Sequence, residues 1–295
     1  MKPPVFDYQD PASVEEALEL LARHGAAAKV LAGGQSLMPL LNLRLARPEV
    51  VVDINRIDAL DYLTEESGWL RVGARVRQRR LEREADVRRM VPLLAEAVRF
   101  VGHPQIRNRG TVCGSLAHAD PAAELPAVAV AVGARLVARS RSGVREIPAE
   151  EFFTGPLTTA LRPDELLAEV RFPCTGPDWG WAFLEVSNRH GDYALCAVAA
   201  GVRAGDGRIQ DARLAYAGAG PVPVRLREAE AALVEHSDLE EGIRAASAEA
   251  RRVLQPDGDL HASSEFRRHL AAVLTARTVR LAWTRARTRS GGAHA

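Results

Sequence analysis

The sequence has 295 residues, of which 47% are hydrophobic, 26% charged and 5% aromatic, and its formal net charge is +1. This length predicts two or three domains, and the hydrophobic content excludes a chain that is disordered over most of its length. Because nucleic-acid binding and membrane-surface binding both need a strongly basic field, the near-neutral charge argues against these two classes.

The first predicted elements have an α/β order. Ser13 and Glu16 form a capping box that begins a helix, and Gly25 ends it. A short buried strand is predicted over 28–32, followed by a glycine loop and by a second strand over 50–52. Helix, strand, loop and strand in this order indicate an α/β unit.

Strands and helices continue to alternate in the middle of the chain. Asp120 as an N-cap and Pro121 at the first helical position predict a helix that ends near Gly133 and that Pro126 bends. A strand is predicted over 69–72, and helical stretches over 76–84 and 90–100. A hairpin over 134–147 and a strand over 166–172 complete this part.

A change of composition at 174–178 predicts a domain boundary. Beyond it we expect a meander of three strands, at 181–186, 194–202 and 209–216. Three helices follow, at 224–235, 238–254 and 263–287, which gives an α+β order. The predicted units are two small subdomains over 1–58 and 59–176, a C-terminal α+β domain over 177–288 and a flexible tail over 289–295.

The three cysteines, Cys113, Cys174 and Cys196, are far apart and include no CxxC pair. Their number and spacing predict neither a disulfide nor a zinc site, and an iron–sulfur cluster needs four thiolates. Free cysteines indicate a reducing compartment, so we expect the cytoplasm. The sequence has no secretory signal pattern and no apolar run of about 18 residues, so we expect no transmembrane segment.

Two glycine-containing segments carry the strongest functional signal. The first, Ala32–Pro39, directly follows a predicted strand, and the second, Arg109–Ser115, precedes a predicted helix. Consecutive glycines let backbone N–H groups converge on an anion, and the hydroxyl side chains add donors. Neither segment has a Walker A or a Rossmann pattern. The residues alone predict two loops that clamp a diphosphate, with ordinary tight turns as the alternative.

These two segments lie in KVLAGGQSLMPLLNLRLARPEVVVDINRI and IRNRGTVCGSLAHADPAAELPAV, which resemble the flavin-binding signatures of the FAD-binding medium subunits of molybdenum hydroxylases. The closest resemblance is to the aerobic carbon monoxide dehydrogenase type, and VSNRHGDYA and FRRHLAAVLTARTVRLAW share it. The resemblance covers residues 1–287. It implies a two-subdomain FAD-binding fold of the vanillyl-alcohol-oxidase type, followed by a C-terminal α+β domain.

The resemblance also implies which residues bind FAD. Both loops contact the pyrophosphate, Glu124 contacts hydroxyl groups, Leu167 lies near the adenine or the ring system, and Tyr193 limits access to the isoalloxazine while Asp192 orients its loop. The full predicted set is Lys29, Ala32, Gly33, Gly34, Gln35, Ser36, Leu37, Thr111, Cys113, Gly114, Ser115, Glu124, Leu167, Asp192 and Tyr193. No metal ligand and no catalytic residue is predicted on this chain. Tyr193 is the residue that the resemblance places nearest the reactive N5 edge of the flavin.

Cys113 departs from the family pattern, because the family usually has two glycines where this chain has Cys113-Gly114. If that position needs a positive φ, a cysteine costs about 1–2 kcal/mol. If it needs only a small residue, a cysteine fits, and this is what we expect. A redox role for the thiol is the alternative.

Other residues also have two interpretations. Lys29 either steadies a phosphate or is solvated, as exposed lysines usually are. His118 and Asp120 are either half of a metal site or a loop histidine beside a helix cap. The cluster Arg75–Arg83 is a solvated helix face, or it contacts an acidic partner or steers an anion.

By the same resemblance, the chain receives electrons from a small [2Fe–2S] subunit and passes them to a terminal acceptor, while a large molybdopterin subunit oxidises the substrate. The implied assembly is a heterotrimer or a dimer of heterotrimers. Two alternatives stay open, a self-standing FAD-dependent reductase and a non-catalytic nucleotide-binding module. The sequence leaves the substrate (carbon monoxide, an aldehyde or an N-heterocycle) and the terminal acceptor undecided.

Overall fold

A computed structural model of the chain describes residues 2–291, in which helices pack between and around three larger β-sheets. The strands are β1 (Asp7–Gln9), β2 (Ala28–Leu31), β3 (Val50–Asp53), β4 (Leu63–Glu66), β5 (Trp69–Gly73), β6 (Arg135–Ser140), β7 (Gly143–Pro148), β8 (Phe153–Gly155), β9 (Thr158–Thr159), β10 (Leu166–Pro173), β11 (Trp179–Ser187), β12 (Ala194–Gly205), β13 (Arg208–Ala217) and β14 (Val224–Arg225). The helices are α1 (Val14–His24), α2 (Leu37–Asn42), α3 (Gln78–Arg83), α4 (Ala85–Met90), α5 (Pro92–Ala97), α6 (Pro104–Arg109), α7 (Val112–His118), α8 (Glu124–Val132), α9 (Ala149–Phe152), α10 (Arg227–Glu235), α11 (Leu239–Val253) and α12 (Ser264–Gly291).

The first sheet is parallel, with strand order β1-β3-β2 and helix α1 packed against it. The predicted ends of α1 are confirmed, because Ser13 accepts a hydrogen bond from the backbone of Glu16 and Gly25 has a φ of 51°. Strands β2 and β3 run side by side, so the segments that follow them, at Ala32 and Ile54, leave the same edge of the sheet. This edge is where parallel sheets usually bind ligands.

The second sheet is antiparallel, with strand order β4-β5-β10-β6-β7, and α7 and α8 pack against it. The third sheet, β11-β12-β13-β14, is the predicted meander extended by β14. Helices α10 and α12 cover one of its faces, with α11 packed against them, and α8 covers the other. Because both faces are buried, β12 is apolar over most of its length. This order of an α/β unit followed by strands and then helices confirms the predicted fold class.

The predicted start of the helix after Asp120 was wrong. Helix α8 begins at Glu124, because the Asp120 carboxylate accepts a hydrogen bond from the N–H of Ala122 at 2.9 Å and closes a turn instead. Pro126 is then the third helical residue, where a missing N–H costs no intrahelical bond, so the proline does not interrupt the helix. Gly133 ends it with a φ of 72°.

The second glycine segment is helical, although the sequence suggested a loop. Thr111 accepts a hydrogen bond from the N–H of Gly114 at 3.0 Å, which makes it the N-cap of α7. The stretch predicted over 90–100 also differs, because α4 ends at Met90 and Pro92 begins α5. Helix α12 continues to Gly291, past its predicted end at 287. Residues 292–295 of the predicted tail lie outside the described residues.

Candidate functional site

The two glycine segments meet backbone to backbone. Gly33 is buried, and a Cβ atom built on it would lie 2.6 Å from the carbonyl oxygen of Arg109 and 2.7 Å from the Cα atom of Gly110. Real Cβ atoms do not approach other atoms this closely, so glycine is required for the contact. Gly34 has a φ of 73°, a conformation that also favours glycine. The structure therefore brings together the two segments that the sequence singled out.

A cleft of about 430 Å³ opens beside this contact. Its walls come from both segments, from helix α2 and from the residues after β3. The lining residues are Leu31, Ala32, Gly33, Gly34, Gln35, Met38, Pro39, Asn42, Asn55 and Arg109. The predicted FAD-binding set did not include Leu31, Met38, Pro39, Asn42, Asn55 or Arg109, of which Met38, Pro39 and Arg109 belong to the two glycine segments. Asn55 could have been found, because it follows β3 at the same sheet edge as the first glycine segment.

Unpaired backbone donors line the first glycine segment. Within residues 2–291, the N–H groups from Gly33 to Leu37 have no protein acceptor. The side chain of Gln35 donates to the carbonyl oxygen of Gly33 at 3.2 Å, which steadies the turn. Several N–H groups in a row at a helix start form a cradle for an anion, with the Ser36 hydroxyl as a further donor.

A hydrogen-bond chain fixes the two segments relative to each other. Asn55 donates through Nδ2 to the carbonyl oxygen of Ala32 at 2.8 Å, and its Oδ1 accepts from Arg77 at 2.5 Å. The other terminal nitrogen of Arg77 donates to the carbonyl oxygen of Arg109. One arginine thus links the end of β3 to the second segment, which stabilises the shape of the cleft.

Tyr193 reaches this region from the third sheet. Its hydroxyl group interacts with the side chains of Ser36 and Asp120, and 52% of the residue remains exposed. Partial burial, followed by the charges of Asp120 and Glu124, raises the pKa of Tyr193 to about 12, so the phenol stays protonated at neutral pH. Asp192 is exposed, and its N–H donates to the carbonyl oxygen of Arg189 in the turn before Tyr193.

Two carboxyl groups lie where the second and third sheets meet. Glu124 is 3% exposed, and burial followed by the charge of Asp120 raises its pKa to about 7. Side chains alternate along β11, so Glu185 is on the same face as Trp181 and Phe183, which belong to the core shared with the first two sheets. One Glu185 oxygen is buried without a partner among the described residues. Burial, followed by the charge of Glu124, raises the pKa of Glu185 to about 8.

We expect Glu185→Gln to stabilise the protein at pH 8.5 by about 2 kcal/mol and to have little effect at pH 5. The ordinary pKa of the carboxyl is 4.5 and the folded-state pKa is about 8. The protonated folded form therefore contributes stability below pH 4.5, and this contribution disappears as the pH rises towards 8. A neutral glutamine avoids that loss.

Thermal unfolding of both proteins across this pH range measures the effect. Glu235→Gln, at an exposed position on α10, is the matched control and should leave the pH dependence unchanged. A Glu185→Gln effect of the same size at pH 5 and pH 8.5 would contradict the prediction, because the carboxyl would then not titrate in this range.

The remaining predicted residues lie outside the cleft wall. Lys29 is exposed on β2, and Leu167 is buried at 4% exposure on β10 within the main core. His118 ends α7, and burial lowers its pKa. Among the residues that the structure describes, no group of three or more His, Cys, Asp and Glu side chains could hold a metal ion.

Cys113 is the second residue of α7, and it is not among the residues with a positive φ. Its thiol is buried and donates to the carbonyl oxygen of Val72 at 3.6 Å. Burial raises the pKa of the thiol far above its usual range. The structure therefore accommodates the Cβ atom, and the buried protonated thiol does not support a redox role.

Comparison with protein families gives two matches that together span most of the chain. The family model of the FAD binding domain in molybdopterin dehydrogenase matches residues 4–175, and that of the CO dehydrogenase flavoprotein C-terminal domain matches residues 181–282. Over the described residues, no helix is both long enough and apolar enough to cross a membrane.

Similar proteins of known name share nearly the whole chain. Caffeine dehydrogenase subunit beta of Pseudomonas sp. (strain CBB1) is 43% identical over 95% of this chain and 95% of its own. Subunit alpha of the 6-hydroxypseudooxynicotine dehydrogenase complex of Paenarthrobacter nicotinovorans is 42% identical over 97% of both. A chain of carbon monoxide dehydrogenase from Hydrogenophaga pseudoflava, in a form lacking the Mo-pyranopterin moiety, superposes with a TM-score of 0.94 at 37% identity, covering 97% of this chain and 99% of that chain. These matches confirm the fold and the resemblance predicted from the sequence.

Proposed function

Because this chain belongs to the family of FAD-binding medium subunits of molybdenum hydroxylases, we propose that the cleft and the adjoining cradle of N–H groups hold FAD. The chain is an oxidoreductase subunit that resembles the medium chain of carbon monoxide dehydrogenase. The observation that carries the proposal is the contact of Gly33 with Arg109 and Gly110 beside a row of unpaired N–H groups. Bound FAD supplies redox chemistry in one-electron and two-electron steps.

The residues present fit this cofactor. The N–H groups from Gly33 to Leu37 and the Ser36 hydroxyl would hold the diphosphate, with α7 and its cap Thr111 beside them. Glu124 and Tyr193 approach the same region from α8 and from the third sheet, which supports contacts with the flavin half. Tyr193, half exposed over Ser36, would limit access of solvent and acceptors to the flavin. For Lys29, Leu167 and Asp192, contact with FAD stays a prediction.

The chain's own groups would also set the electrostatics around the cofactor. The phenol of Tyr193 stays protonated at neutral pH and can donate a hydrogen bond. Glu124 and Glu185, with pKa values of about 7 and 8, keep much of their protonated form at neutral pH. The junction of the sheets therefore offers protons without adding two full negative charges beside the flavin.

We further propose that the chain receives electrons from a small [2Fe–2S] subunit and that a large molybdopterin subunit oxidises the substrate. Two similar proteins are named as subunits, one of them of a dehydrogenase complex, which supports partners of this kind. The proposed assembly is a heterotrimer or a dimer of heterotrimers in the cytoplasm. Within this chain, a boundary after residue 58 would separate the two FAD-binding subdomains from each other. A second boundary, after residue 176, would separate them from the C-terminal domain.

Reduction of the flavin, followed by absorbance under anaerobic conditions, tests this proposal. The native complex, purified through a tag on this chain, should contain an iron–sulfur protein and a molybdopterin protein, and its flavin should be reduced by the complex's substrate. The chain by itself should keep its flavin oxidised with that substrate. Reduction of the flavin in the isolated chain would instead favour a self-standing reductase, and a complex without an iron–sulfur partner would contradict the assembly.

A further inference from the structure

Arg77 and Arg109 have no carboxylate partner, unlike Arg75 and Arg79 on either side of Arg77. Arg75 pairs with Asp58 at 2.7 Å, and Arg79 pairs with Glu82 at 2.5 Å. Within residues 2–291, neither Arg77 nor Arg109 forms an ion pair with an acidic side chain. Neither guanidinium charge is therefore neutralised by an ion pair, although the charges of Asp61 and Asp53 act on Arg77 from a greater distance.

The environment of Arg77 shows that the positive charges of Arg77 and Arg109 repel each other. Arg77 is only partly exposed, and its guanidinium donates to two neutral oxygens, the amide oxygen of Asn55 and the carbonyl oxygen of Arg109. Burial, followed by the positive charges of Arg109 and Arg75, lowers the pKa of Arg77. A partly desolvated cation near a second cation is unfavourable unless an anion binds close by.

The position of Arg109 indicates where that anion would bind. Arg109 lines the cleft together with Gly33, Gly34 and Gln35, whose N–H groups have no protein acceptor. The cleft thus has unpaired donors on one wall and an unpaired cation on the other. Arg109 and Lys29, the cation that the sequence suggested, are both exposed, but only Arg109 lines the cleft.

We propose that Arg109 binds the diphosphate of FAD across the cleft from the first glycine segment, and that Arg77 positions Arg109. Arg77 donates a hydrogen bond to the Arg109 carbonyl oxygen, and its positive charge adds to the attraction for the diphosphate. This inference rests on the proposed function and adds to it the residue that supplies the charge. A guanidinium can donate two parallel hydrogen bonds to phosphate oxygens, which an ammonium group on a flexible stem cannot reproduce.

Binding of FAD and of riboflavin to the apoprotein, measured by fluorescence titration, tests the inference. We expect Arg109→Ala to weaken FAD binding ~10- to 100-fold, since a hydrogen bond to a charged group contributes about 1.5–3 kcal/mol. Riboflavin has no phosphate, so its affinity should change less than about twofold. Arg109→Lys should recover part of the loss, and the FAD affinity of Arg109→Ala should depend less on salt than that of the parent protein.

Arg83→Ala is the matched control, because Arg83 is exposed at the end of α3 and does not line the cleft. It should bind FAD as the parent protein does, and circular dichroism of all variants checks that they fold. If Arg109→Ala binds FAD like Arg83→Ala, or if Lys29→Ala alone shows the loss, the inference is wrong. If the parent protein itself does not bind FAD, the proposed function fails instead.

Discussion

Gly33→Ala is expected to abolish stable FAD binding, with an affinity at least ~100-fold weaker than that of the parent protein. The new methyl group would lie 2.6 Å from the carbonyl oxygen of Arg109, 2.7 Å from the Cα atom of Gly110 and 3.0 Å from the backbone nitrogen of Thr111. All three are backbone atoms, so no side-chain rotation can relieve the overlap. The two segments must move apart, and the cradle of N–H groups must move away from Arg109.

The flavin content of the purified variant and its titration with FAD measure this effect. Gly155→Ala is the matched control, because its methyl group would meet only the Cβ atom of Thr158, at 3.8 Å, which is an ordinary contact. We expect the control to bind FAD normally and both variants to keep the parent circular dichroism spectrum. A Gly33→Ala protein that binds FAD as tightly as the control would show that the contact between the segments is not needed for binding.

Gly180→Ala is expected to destabilise the protein by about 3 kcal/mol or more. Gly180 lies on β11 under helix α12, and a Cβ atom there would be 1.9 Å from the carbonyl oxygen of Ala282 and 2.4 Å from the backbone nitrogen of Ala286. The helix would have to lift from the sheet. This displacement would strain the bonds of Arg285, which donates to Glu96 on α5 and to the Trp181 carbonyl oxygen.

Thermal unfolding followed by circular dichroism, with Gly155→Ala again as the control, checks this expectation. The Gly180→Ala midpoint should fall by several degrees, because each kcal/mol lost lowers the midpoint by about 2–4 °C in a chain of this size. A midpoint within 1 °C of the control would show that α12 is not seated on Gly180 as the structure has it.

The fold could be predicted where local patterns agree with tertiary packing. The meander over β11, β12 and β13 was found because both faces of the sheet are buried and the strands are correspondingly apolar. The start of α8 was missed because the Asp120 side chain closes a turn rather than capping a helix. The short strands β1 and β4 were also missed, since their residues are mostly exposed and give no apolar pattern. The partner of β1, strand β3, also lies far along the chain.

The candidate site was predictable only in part. Gly33 and Gly34 were recognised from the chain, because a glycine pair after a strand is itself a signal. The role of Arg109 depends on a contact between backbones 76 residues apart and was invisible without the fold. Glu185 was missed for a similar reason, since its burial depends on which face of β11 meets the first two sheets.

We propose that this chain holds FAD between its two glycine segments. The most direct test of this proposal is to purify the protein, record its visible spectrum, and identify by mass spectrometry any flavin released on denaturation. We expect flavin absorption bands and one FAD released per chain. A colourless protein that also fails to bind added FAD, or one that releases only FMN, would contradict the proposal.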